Sequence, residues 1–268
     1  MIAKTLYSIF FILVMTLSAS AQETDNIILK QALKFLDTPY VAHTLEVNEQ
    51  EQLIINRDEV DCTTFVEYVL ALALSPIEND TVDTIAFARN LQRIRYRNGQ
   101  INGYPSRLHY IADWVNNGIR HGFIEDVAAL HSPDTLTLSL SFMSSHPQSY
   151  KQLANSPENV RKIKEIEKSL SGSHFHYIPK SKLPDTGLPW IKDGDIIAIT
   201  TNIPGLDVAH LGFALHQDGQ LKLLHASSTG KKVLISKGSL SQMLKNNKRW
   251  TGIRVLRMIV SDAKLKSP

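Results

Sequence analysis

The sequence predicts an α+β fold, because helical patterns occupy the first part of the chain and strand patterns the last. Up to about residue 120, apolar side chains recur every three or four residues, as on one face of a helix. Beyond Ser171, short β-branched and aromatic runs alternate with turn residues. Asp218-Gly219, between two apolar runs, indicates a hairpin of neighbouring antiparallel strands. Since no repeat or linker interrupts the chain, the helices and the sheet are expected to share one core.

Residues 1–21 have the pattern of a secretory signal peptide rather than of a folded element. Lys4 supplies the positive start, an apolar run extends from Leu6 to Leu17, and Ala19-Ser20-Ala21 forms an A-x-A cleavage site. The next residue is Gln22, not the cysteine of a bacterial lipoprotein anchor. We therefore expect a secreted protein without a stable membrane anchor, periplasmic in a Gram-negative cell.

The charge of the chain gives no indication of nucleic acid binding. The formal net charge is +3 for the full sequence, and removal of Lys4 with the signal peptide lowers it by one, to +2. No basic stripe is visible that would attract a phosphate backbone despite this small total. Nucleic acid is therefore not expected as a partner.

Five helices are predicted in the first part of the chain. The best delimited begins after Asp61, which is a good N-cap, and ends before Pro76. The predicted helices span residues 27–36, 46–56, 62–75, 82–96 and 106–116, of which 46–56 has the weakest pattern. The inner face of the fourth helix is expected to comprise Ile85, Ala86, Leu91 and Ile94.

The rest of the chain is predicted to be strands, with one helix among them. Pro157 to Leu170 has the pattern of a charged helix with mostly solvated faces, and Thr135 to Phe142 alternates like a strand. The later strand patterns cover residues 174–178, 195–200, 210–215, 220–226, 232–235 and 252–259.

Cys62, the only cysteine, is the candidate nucleophile. It falls on the first turn of a predicted helix, where unpaired backbone N–H groups and the helix dipole favour a thiolate over a thiol. A single cysteine in an exported protein cannot form an internal disulfide, so it is either a buried residue without a chemical role or a thiol kept for its reactivity. We expect the reactive role, which requires a base elsewhere in the chain.

His210 and His225 are predicted to be neighbours on the hairpin. If Asp218-Gly219 forms the centre of the turn, the numbers of paired residues sum to 437, and Gly212 lies opposite His225. The two histidines are then diagonal neighbours on one face, about 7 Å apart at Cα, and Gly212 leaves open space for a docked group. This arrangement suits His210 as the base for Cys62 and His225 as the residue that sets the tautomer of His210.

A zinc site is the alternative explanation of the histidines. His174-Phe175-His176 puts two imidazoles on one face of a strand, and zinc sites use such side chains. Because no third ligand follows at a recognisable spacing, no metal is expected. The remaining histidines, including His109, carry no separate signal.

Three motifs resemble those of the NlpC-type cell-wall cysteine peptidases, which have a papain-like fold. Asp37-Thr38-Pro39-Tyr40 resembles their G-x-P-Y segment, although Asp37 replaces a glycine. Asp61-Cys62-Thr63-Thr64-Phe65-Val66 resembles their D-C-S-G-F-V motif, with Thr-Thr in place of Ser-Gly. His210-Leu211-Gly212-Phe213 and His225-Ala226-Ser227-Ser228 resemble their H-V-G-I and H-A-S strands, in the same order along the chain.

The resemblance implies a papain-like fold, in which an N-terminal helical part with the cysteine helix packs on a C-terminal antiparallel sheet. It implies that Cys62 is the nucleophile, His210 the base and His225 the third member of the catalytic set. It also implies that the hydroxyl of Tyr40 lies near the oxyanion or the substrate, and that Asp61 shapes the substrate pocket. Residues 22–268 would form a single catalytic domain.

The segment of about residues 72–194 resembles the enlarged insertion of the N-acetylmuramoyl-L-alanine amidase-like branch of that family. In that branch this segment would form a wall of the substrate cleft, and the wall would include Tyr104 and Arg107. An arginine on a helix face is usually solvated, but here a guanidinium could clamp a carboxylate of the peptide stem with two hydrogen bonds. Core packing is expected for the tryptophans, Trp114, Trp190 and Trp250.

The expected activity is hydrolysis of an amide bond in peptidoglycan fragments (muropeptides), without a metal or an organic cofactor. The branch resemblance points to the bond between the lactyl group of N-acetylmuramic acid and L-alanine. Three alternatives remain: a γ-D-glutamyl-diamino acid endopeptidase, an inactive muropeptide-binding module, and acyl transfer on lipids. The sequence leaves the oligomeric state open.

Overall fold

The structure of the protein is a computed structural model, in which residues 27–79 and 81–260 are described. The predicted signal peptide, residues 1–21, lies outside these ranges. The described helices are α1 (27–33), α2 (Cys62–Ala73), α3 (Thr84–Arg95), α4 (Ile111–Arg120), α5 (Val127–His131), α6 (Phe142–Ser145), α7 (Lys151–Ala154), α8 (Pro157–Leu170) and α9 (Leu240–Asn246). The described strands are β1 (Ile77–Glu78), β2 (Thr81–Val82), β3 (Ile124–Asp126), β4 (Thr135–Thr137), β5 (His174–His176), β6 (Ile178–Pro179), β7 (Ile196–Thr201), β8 (Val208–Gln217), β9 (Gln220–Ser227), β10 (Lys232–Ile235) and β11 (Trp250–Met258).

One antiparallel sheet of seven strands carries the C-terminal part of the chain. Its order is β10-β9-β8-β7-β11-β3, with β6 also paired to β11. The predicted hairpin joins β8 to β9, and Asp218 and Gly219 have φ of 55° and 71°, as a type I′ turn requires. Helices combined with an antiparallel sheet are the α+β class that the sequence predicts.

The sheet is packed on both faces, which explains why its strands are apolar at most positions. On one face, Leu211 and Phe213 of β8 join α2 in a first apolar cluster. On the other face, Ala214 of β8 and Leu223 of β9 join α9 in a second apolar cluster. Every residue of α2 from Thr64 to Ala73 is buried, so this helix is held between the sheet and the surrounding helices.

The part of the chain between residues 104 and 175 has a third apolar cluster of its own. The carboxylate of Asp207 joins this part to the sheet, because it accepts hydrogen bonds from the N–H groups of Ala112 in α4 (2.7 Å) and Val208 in β8 (2.8 Å). The third cluster consists of Tyr104, Tyr110, Ala112, Leu138, Leu140, Met143, Leu153, Ile163, Leu170 and Phe175.

The prediction of a helix at residues 46–56 is wrong, since this segment has no regular secondary structure. Its polar groups are bound by side chains from elsewhere: Arg95 donates to the carbonyl of Ile54, and the hydroxyl of Tyr68 accepts from the N–H of Asn56. These tertiary bonds take backbone groups that a helix would need, and the weak apolar pattern does not compensate for them.

Other predicted boundaries shift or shorten. The helix predicted to begin at residue 106 begins at Ile111, after a 3₁₀ turn at Tyr104–Ser106. Only Thr135–Thr137 of the predicted strand from 135 to 142 is a strand. Ile85, predicted to face inward, is 72% exposed. No helix in the two described ranges combines the length and the apolar character that crossing a membrane requires.

Candidate active site

Cys62 is the first residue of α2, as the sequence predicts. One oxygen of Asp61, Oδ1, accepts hydrogen bonds from the N–H groups of Thr63 (2.9 Å) and Thr64 (2.8 Å). The N–H of Asp61 in turn donates to Oγ1 of Thr64 (2.9 Å), which completes a capping box. The cap therefore fixes the start of the helix at Cys62.

The sulfur of Cys62 lies against strand β8. The backbone N–H of Leu211, the residue after His210, donates to it, as does the N–H of Cys62 itself. Burial and the negative charge of Asp61 raise the pKa of the thiol to about 12, although these donors lower it. The expectation that the helix start favours a thiolate is therefore wrong for the free protein, because desolvation and Asp61 outweigh the helix terminus.

The two histidines meet as the register argument predicts. Pairs from Phe213–Leu224 to Gln217–Gln220 have numbers that sum to 437. Nε2 of His210 and Nδ1 of His225 lie 2.6 Å apart, with the ring planes at 90°. This contact uses Nε2 of His210, so Nδ1 is the ring nitrogen through which His210 can bind another group.

Burial lowers the pKa values of both imidazoles. The pKa of His210 falls to about 3, mainly through burial and further through the neighbouring His225. Burial alone lowers the pKa of His225 to about 4. Both rings are therefore neutral near pH 7, and a single proton occupies the hydrogen bond between them.

The space predicted over Gly212 is filled. A Cβ atom at this position would lie 2.8 Å from the carbonyl oxygen of Leu224 and 2.9 Å from the side chain of Leu223. Leu223 belongs to the second apolar cluster, which covers this face of the sheet. Gly212 thus permits close packing rather than the docking of a ligand.

Tyr40 lies near the cysteine, where the family resemblance expects it. Burial raises its pKa to about 12, and the nearby Cys62 and Asp61 add to this shift. Its backbone is held in place by a parallel bridge to Val60, just before the helix cap. The structure thus brings Tyr40, Asp61 and Cys62 together at the start of α2.

Arg107 and Tyr104 contact the segment of residues 46–51 and each other. The guanidinium of Arg107 donates to Glu51 Oε1 (3.0 Å) and Oε2 (2.8 Å) and to Glu46 Oε1 (2.8 Å). It also lies over the ring of Tyr104, 5.0 Å from its centroid. A substrate carboxylate would have to displace one of these two glutamates, so the geometry favours a structural role for Arg107 over the predicted clamp.

Tyr104 lines a pocket of about 640 Å³ whose walls include neither Cys62 nor the two histidines. Most of its lining is polar: Asn48, Glu49, Gln50, Glu51, Lys151, Gln152, Asn155, Ser156 and Asn159. The pocket is therefore distinct from the groups that surround the sulfur.

Two side chains near these groups were not singled out by the sequence. Trp250 packs against the second cluster, as expected for a core residue, but its ring also lies parallel to that of His210, with centroids 6.0 Å apart. His109 stacks on Tyr104 at 4.3 Å, and burial, with the charge of Arg107, lowers its pKa to about 3. The contact of Trp250 depends on the pairing of distant strands, whereas His109 and Tyr104 are five residues apart in the chain.

The histidines considered for zinc make other bonds. Nδ1 of His174 lies 3.0 Å from Oγ1 of Thr137, and Nδ1 of His176 lies 2.7 Å from the carbonyl oxygen of Ser132. Across residues 27–79 and 81–260, no three His, Cys, Asp or Glu side chains are grouped as metal ligands.

Comparisons with known proteins give matches over most of the chain. A family model described as AmiA-like, N-acetylmuramoyl-L-alanine amidase-like, matches residues 30–253. An N-acetylmuramoyl-L-alanine amidase from Bacteroides uniformis is 67% identical, with a TM-score of 0.86, over 87% of this chain and 99% of its own. A Bacteroides fragilis protein, provisionally called a xylanase, is 62% identical, with a TM-score of 0.84, over 86% of this chain and 100% of its own.

A more distant structure shares the fold. A Legionella pneumophila protein has a TM-score of 0.66 at 22% identity, over 91% of this chain and 93% of its own. The search among curated proteins gives no match.

Proposed function

Because the chain belongs to the N-acetylmuramoyl-L-alanine amidase-like family, we propose that it hydrolyses the amide bond between the lactyl group of N-acetylmuramic acid and L-alanine. Its substrates would be soluble muropeptides. The observation that carries the proposal is the contact of the Cys62 sulfur with the N–H of Leu211, one residue from the hydrogen-bonded histidine pair. The proposed reaction needs no metal and no organic cofactor.

In the first step, the sulfur of Cys62 attacks the lactyl carbonyl carbon while Nδ1 of His210 takes the thiol proton. This requires the tautomer of His210 with a proton on Nε2, which donates to Nδ1 of His225 (2.6 Å). His225 therefore sets the tautomer of His210, in the way the third member of a triad does. Since the thiol has a pKa of about 12, proton transfer accompanies the attack instead of preceding it.

In the second step, the tetrahedral intermediate expels the amine of L-alanine, which takes the proton from His210. Water then attacks the thioester, gives a proton to His210 and releases the lactyl carboxylate, and the thiol of Cys62 is restored. The N–H of Cys62 and the hydroxyl of Tyr40 are the proposed donors to the oxyanion. Asp61 positions the N–H of Cys62 by capping α2.

We also propose that this fold is the papain-like fold of the NlpC-type peptidases. The packing of α2 against a sheet that carries both histidines supports this, as do the three motifs. On this view residues 22–268 are one catalytic domain, and residues 72–194 contain the enlarged insertion.

Export is part of the same proposal. The apolar run and the A-x-A site of residues 1–21 support removal of a signal peptide and action outside the cytoplasm, in the periplasm of a Gram-negative cell. These residues lie outside the described part of the chain, and the support comes from their sequence alone.

A glycosidase function, suggested by the xylanase name of one relative, has less support from the geometry. Most glycosidases hydrolyse with a pair of carboxyl groups that flank the scissile bond. Here Asp61 is the helix cap beside the cysteine, and Glu46 and Glu51 are bound to Arg107. These three carboxylates thus already have structural partners.

The deciding experiment uses a purified disaccharide-tetrapeptide muropeptide and mass spectrometry of the products. The amidase proposal predicts free disaccharide and a tetrapeptide that begins with L-alanine. Disaccharide carrying L-Ala-D-Glu, together with a released diamino-acid peptide, would instead establish the endopeptidase. Xylo-oligosaccharides serve as a parallel substrate, and their cleavage would establish the glycosidase.

Matched variants separate the catalytic groups from their surroundings. Cys62→Ala and His210→Ala should abolish cleavage, whereas His216→Ala, an exposed histidine on the same strand, should leave it unchanged. Binding of the muropeptide without cleavage by the unaltered protein would support the inactive binding module. Cleavage by Cys62→Ala at the normal rate would refute the cysteine mechanism.

A further inference from the structure

We propose that Trp250 is a positioning residue that holds the imidazole of His210 in the plane required for proton transfer. The inference rests on the proposed function, in which His210 is the base. The two rings are parallel within 8° and their centroids are 6.0 Å apart, whereas His225 approaches His210 edge-on at 90°. Parallel-displaced and edge-to-face contacts are the arrangements that aromatic rings prefer.

The hydrogen bond between the histidines is not sufficient to orient His210. It fixes Nε2 at 2.6 Å from Nδ1 of His225, but a ring held only at its bond to Cβ and at Nε2 can still rotate about the line between them. Such rotation would change the direction of Nδ1 of His210, the atom that takes the thiol proton in the proposed function. A flat indole against the face of the imidazole prevents this, so Trp250 sets the plane of the ring and His225 its place within the plane.

A β-bulge brings Trp250 to this position. On β11, Trp250 pairs with Thr201 and Gly252 with Thr200, so Thr251 is an extra residue. In a regular register, Thr251 would lie opposite Thr201. The bulge puts the tryptophan there instead, on the face of the sheet that His210 shares.

A second bulge lies on the other side of β7, at the same level. On β8, His210 pairs with Ile199 and Val208 with Thr200, so Ala209 is extra. Bulges are common beside active sites, where they re-aim a side chain. The two irregularities flank Thr200, one on each neighbouring strand, and each adjoins one of the two stacked rings.

The indole also keeps water from one face of His210. Burial holds the pKa of His210 at about 3, so a substitution that removes the indole should let water in and raise this pKa. Lower stability alone would not raise this pKa as long as the variant stays folded. The pKa of His210 is therefore a readout of the contact between the indole and His210 that is separate from stability, and the kcat and KM values below report the positioning.

The test compares Trp250→Leu, Trp250→Phe and a matched control, Trp190→Leu. Trp190 also packs against the second cluster and stacks on a histidine, His131, at 4.7 Å. The control thus removes a similar contact, but from a histidine that has no part in the proposed reaction.

We expect Trp250→Leu to lower kcat on the muropeptide on the order of tenfold or more, with KM within about twofold of normal, since small misplacements of a catalytic group have large effects on rate. Trp250→Phe retains an aromatic face and should keep most of the activity. Trp190→Leu should leave kcat unchanged. A rise in KM with normal kcat for Trp250→Leu would show that the indole binds substrate instead, and would overturn the proposal.

Nuclear magnetic resonance gives a second measurement that needs no substrate. In Cys62→Ala protein with labelled histidines, we expect Overhauser contacts between the indole of Trp250 and the imidazole of His210, and a higher pKa of His210 after Trp250→Leu. Absent contacts, or an unchanged pKa in a folded Trp250→Leu variant, would refute the proposal. If the unaltered protein does not cleave muropeptide, the proposed function fails, and these resonances still decide whether Trp250 fixes His210.

Discussion

The surroundings of three side chains, Cys62, His210 and His225, shift their pKa values so that all three are uncharged near pH 7. The pKa of the thiol is raised to about 12, and those of the imidazoles are lowered to about 3 and about 4. Burial is the main cause in each case, because it disfavours whichever form carries charge. The free protein therefore does not hold these groups as an ion pair of thiolate and imidazolium, and the proposed reaction requires the proton to move from sulfur to His210 as the sulfur attacks.

The alkylation of Cys62 tests this charge state. We expect iodoacetamide to label Cys62 slowly at pH 7 and faster as the pH rises toward about 12, the pKa of the thiol. Asp61→Asn should move this profile to lower pH, because it removes the negative charge that raises the pKa while asparagine still caps the helix. The measurement is the labelling rate against pH by mass spectrometry.

Asp61→Ala is the control for the helix cap. It should also move the profile to lower pH, but it loses the cap and is expected to cost about 1 kcal/mol of stability. Rapid labelling of the unaltered protein at pH 7 would contradict the neutral thiol.

The histidine pair should make the stability of the fold dependent on pH. His225 has a pKa of about 4 in the folded protein and 6.5 in the unfolded chain, so between these values the unfolded chain binds more protons. Stability should be constant above about pH 6.5 on this account and fall as the pH decreases toward 4. Relative to His225→Asn, the unaltered protein should lose on the order of 2 kcal/mol between pH 7.5 and 4.5.

Urea unfolding of both proteins at the two pH values measures this difference. His216→Asn, on an exposed part of β8, is the control. Equal losses for the unaltered protein and His225→Asn would show that His225 is not held neutral by burial.

At the scale of elements, the segment of residues 46–56 is shaped by charges from outside it. Arg107 binds the carboxylates of Glu46 and Glu51, and Arg95, itself paired with Glu67 of α2, binds the carbonyl of Ile54. Buried ion pairs of this kind add little net stability over apolar contacts, but removing one partner leaves the other charge buried and alone. We therefore expect the backbone conformation of this segment to depend on the side chains of Arg95 and Arg107.

Arg107→Gln tests this explanation. We expect it to lower the free energy of unfolding by about 3 kcal/mol, because Glu46 and Glu51 lose their partner. Arg161→Gln is the matched control, since Arg161 is bound to Glu158 and Glu165 on the exposed face of α8, and it should change stability little. Denaturant unfolding measures both, and unchanged stability of Arg107→Gln with a raised KM would restore the clamp first predicted for Arg107.

At the scale of the whole molecule, Asp207 joins the part that contains the third apolar cluster to the strand that carries His210. Its buried carboxylate accepts from Ala112 near the start of α4, where the helix dipole favours a negative charge, and from Val208 at the start of β8. The third apolar cluster is therefore linked to the sheet through a polar contact at its border.

Asp207→Ala should loosen this link. Loss of hydrogen bonds to a buried carboxylate leaves two N–H groups without a partner, which we expect to cost about 2 kcal/mol. Hydrogen exchange should increase in α4 and in β4 more than in β7, and Asp134→Ala, a more exposed carboxylate bound to Lys182, is the control. Uniform exchange throughout the chain would mean that Asp207 does not act at a border.

Much of the site followed from the sequence because it depends on local chemistry. Asp61 caps a helix through its own neighbours, and Asp218-Gly219 fixes the register of β8 and β9 through the turn they form. That register was enough to bring His210 and His225 together. The α+β class likewise follows from periods of apolar residues, which each element shows within itself.

Tertiary structure alone decided the properties that depend on distant partners. Arg107 is bound by Glu46 and Glu51, more than fifty residues away, and Trp250 reaches His210 only because bulges shift two strands of the sheet. The pKa of Cys62 is high because desolvation and the charge of Asp61 outweigh the nearby N–H donors, a balance that the position at a helix start cannot reveal. Local patterns specify which groups each element presents, whereas desolvation and charge pairing depend on how the whole chain packs around them.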